Sequence, residues 1–140
     1  MQMIELAQAS GVSLDTVRYY TRLGLIRAER REGNGYQKFS SRTVHRIQFI
    51  RSAVGLGFKL KDVAELLGMS EQGVLPCPKA REILAERLHE KEKQIEREIA
   101  LFRQMQNAIE AWELMPDGIP EGRHVCGLIE GFEPDKRIEV

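Results

Sequence analysis

The chain has 140 residues, 42% hydrophobic and 30% charged: about one domain's worth of sequence, too apolar for disorder and too polar for a membrane protein. Its net charge of zero conceals a split, because residues 1–68 carry eleven Lys/Arg against six Asp/Glu (+5) and residues 69–140 carry the opposite −5. No apolar run approaches the ~18 residues of a membrane span, and the first residues lack a signal-peptide layout. Two cysteines are too few for a disulfide framework and suit a reducing compartment. The expectation is a soluble cytoplasmic protein with no membrane partner, a polyanion-binding front and a differently employed rear.

In chain order, Ile4, Leu6, Ala7 and Val12 mark a short helix that stops at Gly11, a C-cap signal. Ser13 offers an N-cap for a second helix over Leu14–Leu23, with Asp15 in its first turn complementing the helix dipole. Val17, Tyr20 and Leu23 recur at three-residue spacing and are expected to face the first helix, leaving Thr16, Arg18, Tyr19 and Arg22 pointing elsewhere. Two short helices about a glycine-containing turn, the second with an exposed Arg-Tyr pair, make a helix-turn-helix arrangement. Asn34-Gly35 then gives a strong hairpin signal before Tyr36-Gln37-Lys38-Phe39. It predicts a two-stranded wing edged by Arg27, Arg30, Arg31 and Lys38, cations placed to touch phosphates.

Ser40 or Ser41 caps a third helix, in which Val44, Ile47, Ile50 and Val54 recur at helical spacing and Gly55/Gly57 mark the end. Arg42, His45 and Arg46 decorate its first turns; His45, with no second ligand type nearby, reads as a solvated or packed histidine. A fourth helix is predicted over about Leu60–Leu67, and Gly68 to Pro76 reads as a connector. From Pro78 to Trp112 there is neither Gly nor internal Pro, and Leu84, Leu88, Lys91, Ile95, Ile99 (or Glu98), Phe102, Met105, Ile109 and Trp112 step by three and four. That is a coiled-coil stripe on a rod of roughly 50 Å. Such a rod is too long to be covered by its own head and should pair with a copy, antiparallel, as a homodimer. Residues after Leu114 read as a loop, 123–130 as one or two helical turns, and Glu133 to Val140 as a tail.

The runs ELAQASGVSLDTVRYYTRLGLI and GNGYQKFSSRTVHRIQFIRSAVGLGFKLKDVAELL closely resemble the MerR family of bacterial transcription regulators, densely over about residues 3–67. The resemblance implies a mainly α fold: a winged helix-turn-helix head with a small two-stranded wing, then a long antiparallel coiled-coil dimerisation helix. The corresponding divisions are 1–68 for the head, 69–77 for a connector, 78–113 for the dimerisation helix and 114–140 for an effector loop and tail. It further implies that Arg18 and Tyr19, with Ser13 and Thr16 beside them, meet double-stranded promoter DNA at the major groove, while Tyr36, Lys38 and Arg42 contact the backbone. Two positions depart from the family pattern: Gln37 stands where Arg is usual, and Lys59 where Thr or Ser is usual.

The rear of the chain resembles the metal-sensing members that respond to zinc, cadmium, lead or mercury. Cys77, at the start of the long helix, and Cys126, in CGLIE, match two of their ligand cysteines. The loop cysteine usual some eight to ten residues earlier is absent, with Pro-Asp-Gly at 116–118. Two thiolates supplemented by His124 or Asp117 suit a four-coordinate borderline ion, Zn²⁺ above others, as the effector. The family activates promoters, with RNA polymerase bound, by distorting their DNA. A regulator responding to thiol oxidation, to electrophiles or to an organic ligand is the alternative. An enzyme is disfavoured, since no phosphate loop, HExxH or nucleophile elbow occurs.

Overall fold

The computed structural model describes all residues except 32, 34, 120, 121 and 135–140. In chain order the elements are α1 (Met3–Ser10), α2 (Leu14–Arg22), β1 (Arg30–Arg31), β2 (Gln37–Lys38), α3 (Arg42–Leu56), α4 (Leu60–Glu71), α5 (Cys77–Trp112) and α6 (Gly127–Glu130). The chain is mainly helical with little strand, and it divides into two compact units, Met1–Arg87 and Leu88–Val140. No helix among the described residues is long and apolar enough to cross a membrane.

The first unit begins with local chemistry that the sequence announces. Gly11 closes α1 at φ 72°, a left-handed cap that a side chain would strain. Two residues on, the Ser13 hydroxyl accepts the Thr16 N–H at 3.1 Å and opens α2. β1 and β2 pair antiparallel with Arg30 opposite Lys38 and Arg31 opposite Gln37. Of the expected turn pair, Gly35 has φ 85°, while Asn34 lies outside the described residues. β2 is also tied on its other side: Phe39 N–H donates to the Met1 carbonyl at 2.7 Å, and Gln2 bridges Lys38.

The core joins all these pieces. Leu6 of α1, Val17 of α2, Ile47 and Ile50 of α3 and Val63 of α4 are fully buried, with Ile26 and Phe39 from the intervening segments. Burial of each such side chain contributes about 1.5–3 kcal/mol. Leu23, expected to face the first helix, is instead exposed, as are Ile4 and Val54. Leu23 lies beyond the last turn of α2, where it is the C-cap, and the inner face of α3 is completed by Thr43 and Ala53. Arg46 is no decoration. Its Nε donates to the Leu25 carbonyl at 2.6 Å and its Nη1 pairs with Glu71 at 2.8 Å, bracing α3 against the segment after α2 and the end of α4. Glu71 is available because α4 does not stop at Leu67. Gly68 is carried inside the helix at a cost of about 1 kcal/mol, and the chain turns only at Gly73, with φ 76°.

The first turns of α5 also belong to this unit. Ile83 is buried, with Ala80 and Leu84 packed against the same core. Beside them Asp62 of α4 accepts three hydrogen bonds: Lys59 N–H at 2.8 Å, closing the N-terminus of α4, and the Arg87 Nε and Nη2, both at 2.8 Å. The Asp62 side chain is only 5% exposed. In the second unit α5 continues to Trp112, exposing Leu88, Ile95, Ile99, Phe102, Met105 and Ile109. The chain then reverses, and after the single turn α6 brings Phe132 and Glu133 beside Ile99, Ala100 and Arg103, where they line a cavity of about 750 Å³.

The Arg87 hydrogen bonds, opposed in part by burial, hold the Asp62 carboxyl down from 3.8 to about 2. A depressed carboxyl contributes stability above its unfolded value and loses it as pH falls through the folded one. Between pH 5 and pH 2 the wild type should therefore lose about 2 kcal/mol from this group, a loss missing in Asp62→Asn when urea midpoints are compared. Arg87→Met, which strands the carboxylate, should cost about 3 kcal/mol at pH 7.

Candidate nucleic-acid interface and thiol loop

The cationic face of the head is built on α2. Its buried side presents Val17 and Tyr20 to the core, which by helical periodicity turns Arg18, Tyr19 and Arg22 outward. Ser13 and Thr16 are engaged with each other at the N-terminus, hydroxyl to hydroxyl at 2.8 Å. Arg18 rests on Asp15 at 3.2 Å with both side chains well exposed. An exposed pair of this kind contributes under about 1 kcal/mol, so Arg18 is easily surrendered to a stronger anion. The Arg22 guanidinium lies 5.4 Å over the Tyr19 ring, which stiffens both groups. Arg22 was legible as outward-facing but carries no place in the site read from sequence; its stacking on Tyr19 brings it there.

Between α2 and the ribbon lies a groove of about 420 Å³ lined by Gln2, Ile4, Leu14, Arg18, Tyr36 and Gln37. The structure thus brings Arg18 and Tyr36 to one groove, with Gln37 as its polar wall. Lys38 follows on β2 and is half-buried. Arg42 begins α3 in an exposed position, with its N–H held by the Ser40 hydroxyl at 3.2 Å; Ser41 is the N-cap residue, but its side chain makes no capping bond. A groove walled by a guanidinium, a phenol and an amide, on the basic half of the chain, suits a phosphodiester backbone.

The four residues expected to bind metal are placed differently. Cys77 is exposed at the first position of α5, in the first unit. Cys126, half-buried, is the extended residue that precedes α6 in the second. Asp117 lies exposed in the loop after α5. His124 Nδ1 sits 3.1 Å from Glu130 Oε2, and the other oxygen of Glu130 accepts the Val125 N–H at 2.8 Å. Glu130 was not anticipated from sequence, although its spacing of four from Cys126 is the signal that one helical turn would bring it back over the thiol's segment. Among the described residues no three His, Cys, Asp or Glu side chains gather as a metal-binding group. Both cysteines are free thiols.

The chain is similar in sequence and fold to known proteins. The family described as "MerR HTH family regulatory protein" matches residues 1–70, and "MerR, DNA binding" matches residues 44–111. The transcriptional regulator HmrR of Rhizobium leguminosarum is 32% identical over 111 residues, covering 79% of this chain and 85% of its own. Heavy metal-dependent transcription regulator 1 of Rhizobium meliloti is 30% identical over 123 residues, covering 86% and 78%. Among solved structures, the regulator PbrR691 from Ralstonia metallidurans, in complex with lead(II), superposes with a TM-score of 0.74 at 20% identity, covering 94% of this chain and 98% of its own. That last likeness is one of fold.

The groove sets a quantitative expectation for duplex binding. Lys38→Ala should weaken binding to all sequences about equally and flatten the plot of log affinity against log salt by about one unit. Arg18→Ala should cost about 1–3 kcal/mol on a preferred sequence. Fluorescence anisotropy over a salt series measures both; unchanged binding by Arg18→Ala would remove α2 from the interface.

Proposed function

Because this chain belongs to the MerR family of helix-turn-helix regulatory proteins, and is therefore a DNA-binding transcriptional regulator and not an enzyme, we propose that it senses a divalent metal ion, Zn²⁺ above others, and activates a promoter. The observation that carries this reading is Cys126, a free, half-buried thiol two positions along the chain from an imidazole paired with a carboxylate. Sulfur with imidazole is the donor chemistry of a borderline ion, and relatives named for heavy metals support it. The residues fit such an ion incompletely within one chain, so the remaining donors come from a second copy.

In this proposal the chain is a homodimer through the exposed stripe of α5, antiparallel, so that Cys77 of one protomer reaches Cys126 of its partner. His124 is the next donor and Asp117 the one after it. The partition proposed is 1–68 for DNA binding, 78–113 for dimerisation and 114–140 for the effector. The head grips promoter DNA with Ser13, Thr16, Arg18 and Tyr19 toward the major groove, and with Tyr36, Lys38 and Arg42 on the backbone. An ion shifts the regulator only through tighter binding to the activating conformation. Bound metal supplies that difference by joining thiolates of two chains, and the head then distorts the promoter beneath RNA polymerase.

Two experiments test this. Ile95→Glu with Ile99→Glu places four charges in the seam of the dimer and should give monomers with weak operator binding in sedimentation and anisotropy; a monomeric wild type at micromolar concentration refutes the dimer. Cys77→Ser and Cys126→Ser should each abolish induction by zinc in transcription from the cognate promoter while leaving operator binding near the wild-type level. Undiminished sensitivity in either would show that these thiols are not the sensor.

A further inference from the structure

We propose that Glu130 is the positioning residue of the sensor loop: its carboxylate fixes His124 in the tautomer that leaves Nε2 as a metal ligand. This rests on the metal-sensing reading above and names a residue that reading does not use. An ionised carboxylate only accepts hydrogen bonds, so His124 Nδ1, 3.1 Å from Oε2, must carry the proton. In the neutral ring Nε2 then bears the free lone pair, and the His124 side chain, 76% exposed, holds it in the open. A carboxylate behind a ligating histidine is the arrangement that orients the ring and raises its basicity toward a metal.

An exposed His–Glu pair alone is worth little, and two further bonds distinguish this one. Glu130 Oε1 takes the Val125 N–H at 2.8 Å, so the carboxylate is held at both oxygens. The Glu130 N–H in turn donates to the Cys126 carbonyl at 3.0 Å. One residue therefore grips three successive positions, the imidazole of 124, the backbone of 125 and the backbone of 126. Behind it Gly131 allows no side chain without displacement, because a Cβ there would meet the Gly127 carbonyl at 3.1 Å. The bracket is local to α6 and the residues just before it.

The test uses the full-length, reduced chain. Zinc affinity is measured by competition with a chromophoric chelator for wild type, Cys126→Ser, His124→Gln, Glu130→Gln and the His124→Gln/Glu130→Gln pair. Glutamine keeps an acceptor for Val125 but offers His124 an N–H donor, which favours the proton on Nε2. Glu130→Gln should weaken zinc binding 10–100-fold, and the pair should bind no more weakly than His124→Gln alone, because both changes remove one ligand. In zinc-free protein at pH 8, ¹⁵N shifts of the His124 ring should report the proton on Nδ1 in wild type and its transfer toward Nε2 in Glu130→Gln. Unchanged affinity in Glu130→Gln, losses that multiply in the pair, or a wild-type proton on Nε2 would each overturn the inference while Cys126→Ser still loses zinc. Wild type taking up no zinc, or Cys126→Ser binding as tightly, would instead overturn the sensing reading and this inference with it. Helical circular dichroism and duplex binding should be unchanged in Glu130→Gln.

Discussion

Asp62 spends both oxygens of one buried carboxylate on two different tasks, closing the N-terminus of α4 through Lys59 and seizing the Arg87 guanidinium in a fork. A fork of two parallel N–H···O bonds fixes direction as well as distance. Together with Ile83 in the core, it makes the first turns of α5 a part of the DNA-binding unit, and Cys77 opens those turns. Cys77 thus belongs to the same compact unit as Arg18 and Tyr36. The Lys79 ammonium, 3.6 Å from Glu82 and 3.9 Å from Glu65 of α4, adds a looser tie over the same junction; both partners are solvated enough to make it minor beside the buried fork.

Features written in adjacent residues could be read directly. Gly11 and Ser13 specify a left-handed stop and a capped start within three positions, and the structure has both. The stripe from Leu88 to Ile109 needed only its period. Contacts between distant residues were not legible. Asp62 and Arg87 are 25 positions apart and look in sequence like any other charges on amphipathic helices. Arg46 was misread as surface for the same reason, since its partners, Leu25 and Glu71, lie on segments that folding alone brings together. Gly68 misled in the opposite direction: a strong local breaker is overruled when the flanking residues, Leu66 and Leu67, are already committed to the core.

At the rear, Cys126 drew attention because cysteine chemistry is conspicuous, whereas the residue that holds the segment before it is an ordinary glutamate. Glu130 becomes visible only when one turn of helix folds it back onto His124 and Val125. The acidic excess of residues 69–140 does not gather into a metal-binding group among the described residues.

The chain start gives the head a mechanical property. With Met1 and Gln2 on one flank of β2 and β1 on the other, the ribbon is anchored to the segment that leads into α1, and α1 packs on α2. The segments that carry Arg18 and Lys38 are therefore tied to each other through residues 1 and 2 and α1. Duplex DNA bends and twists for a few kilocalories per mole, so in the proposed complex the duplex would be the compliant member, and a reorientation of the head would be written into its geometry.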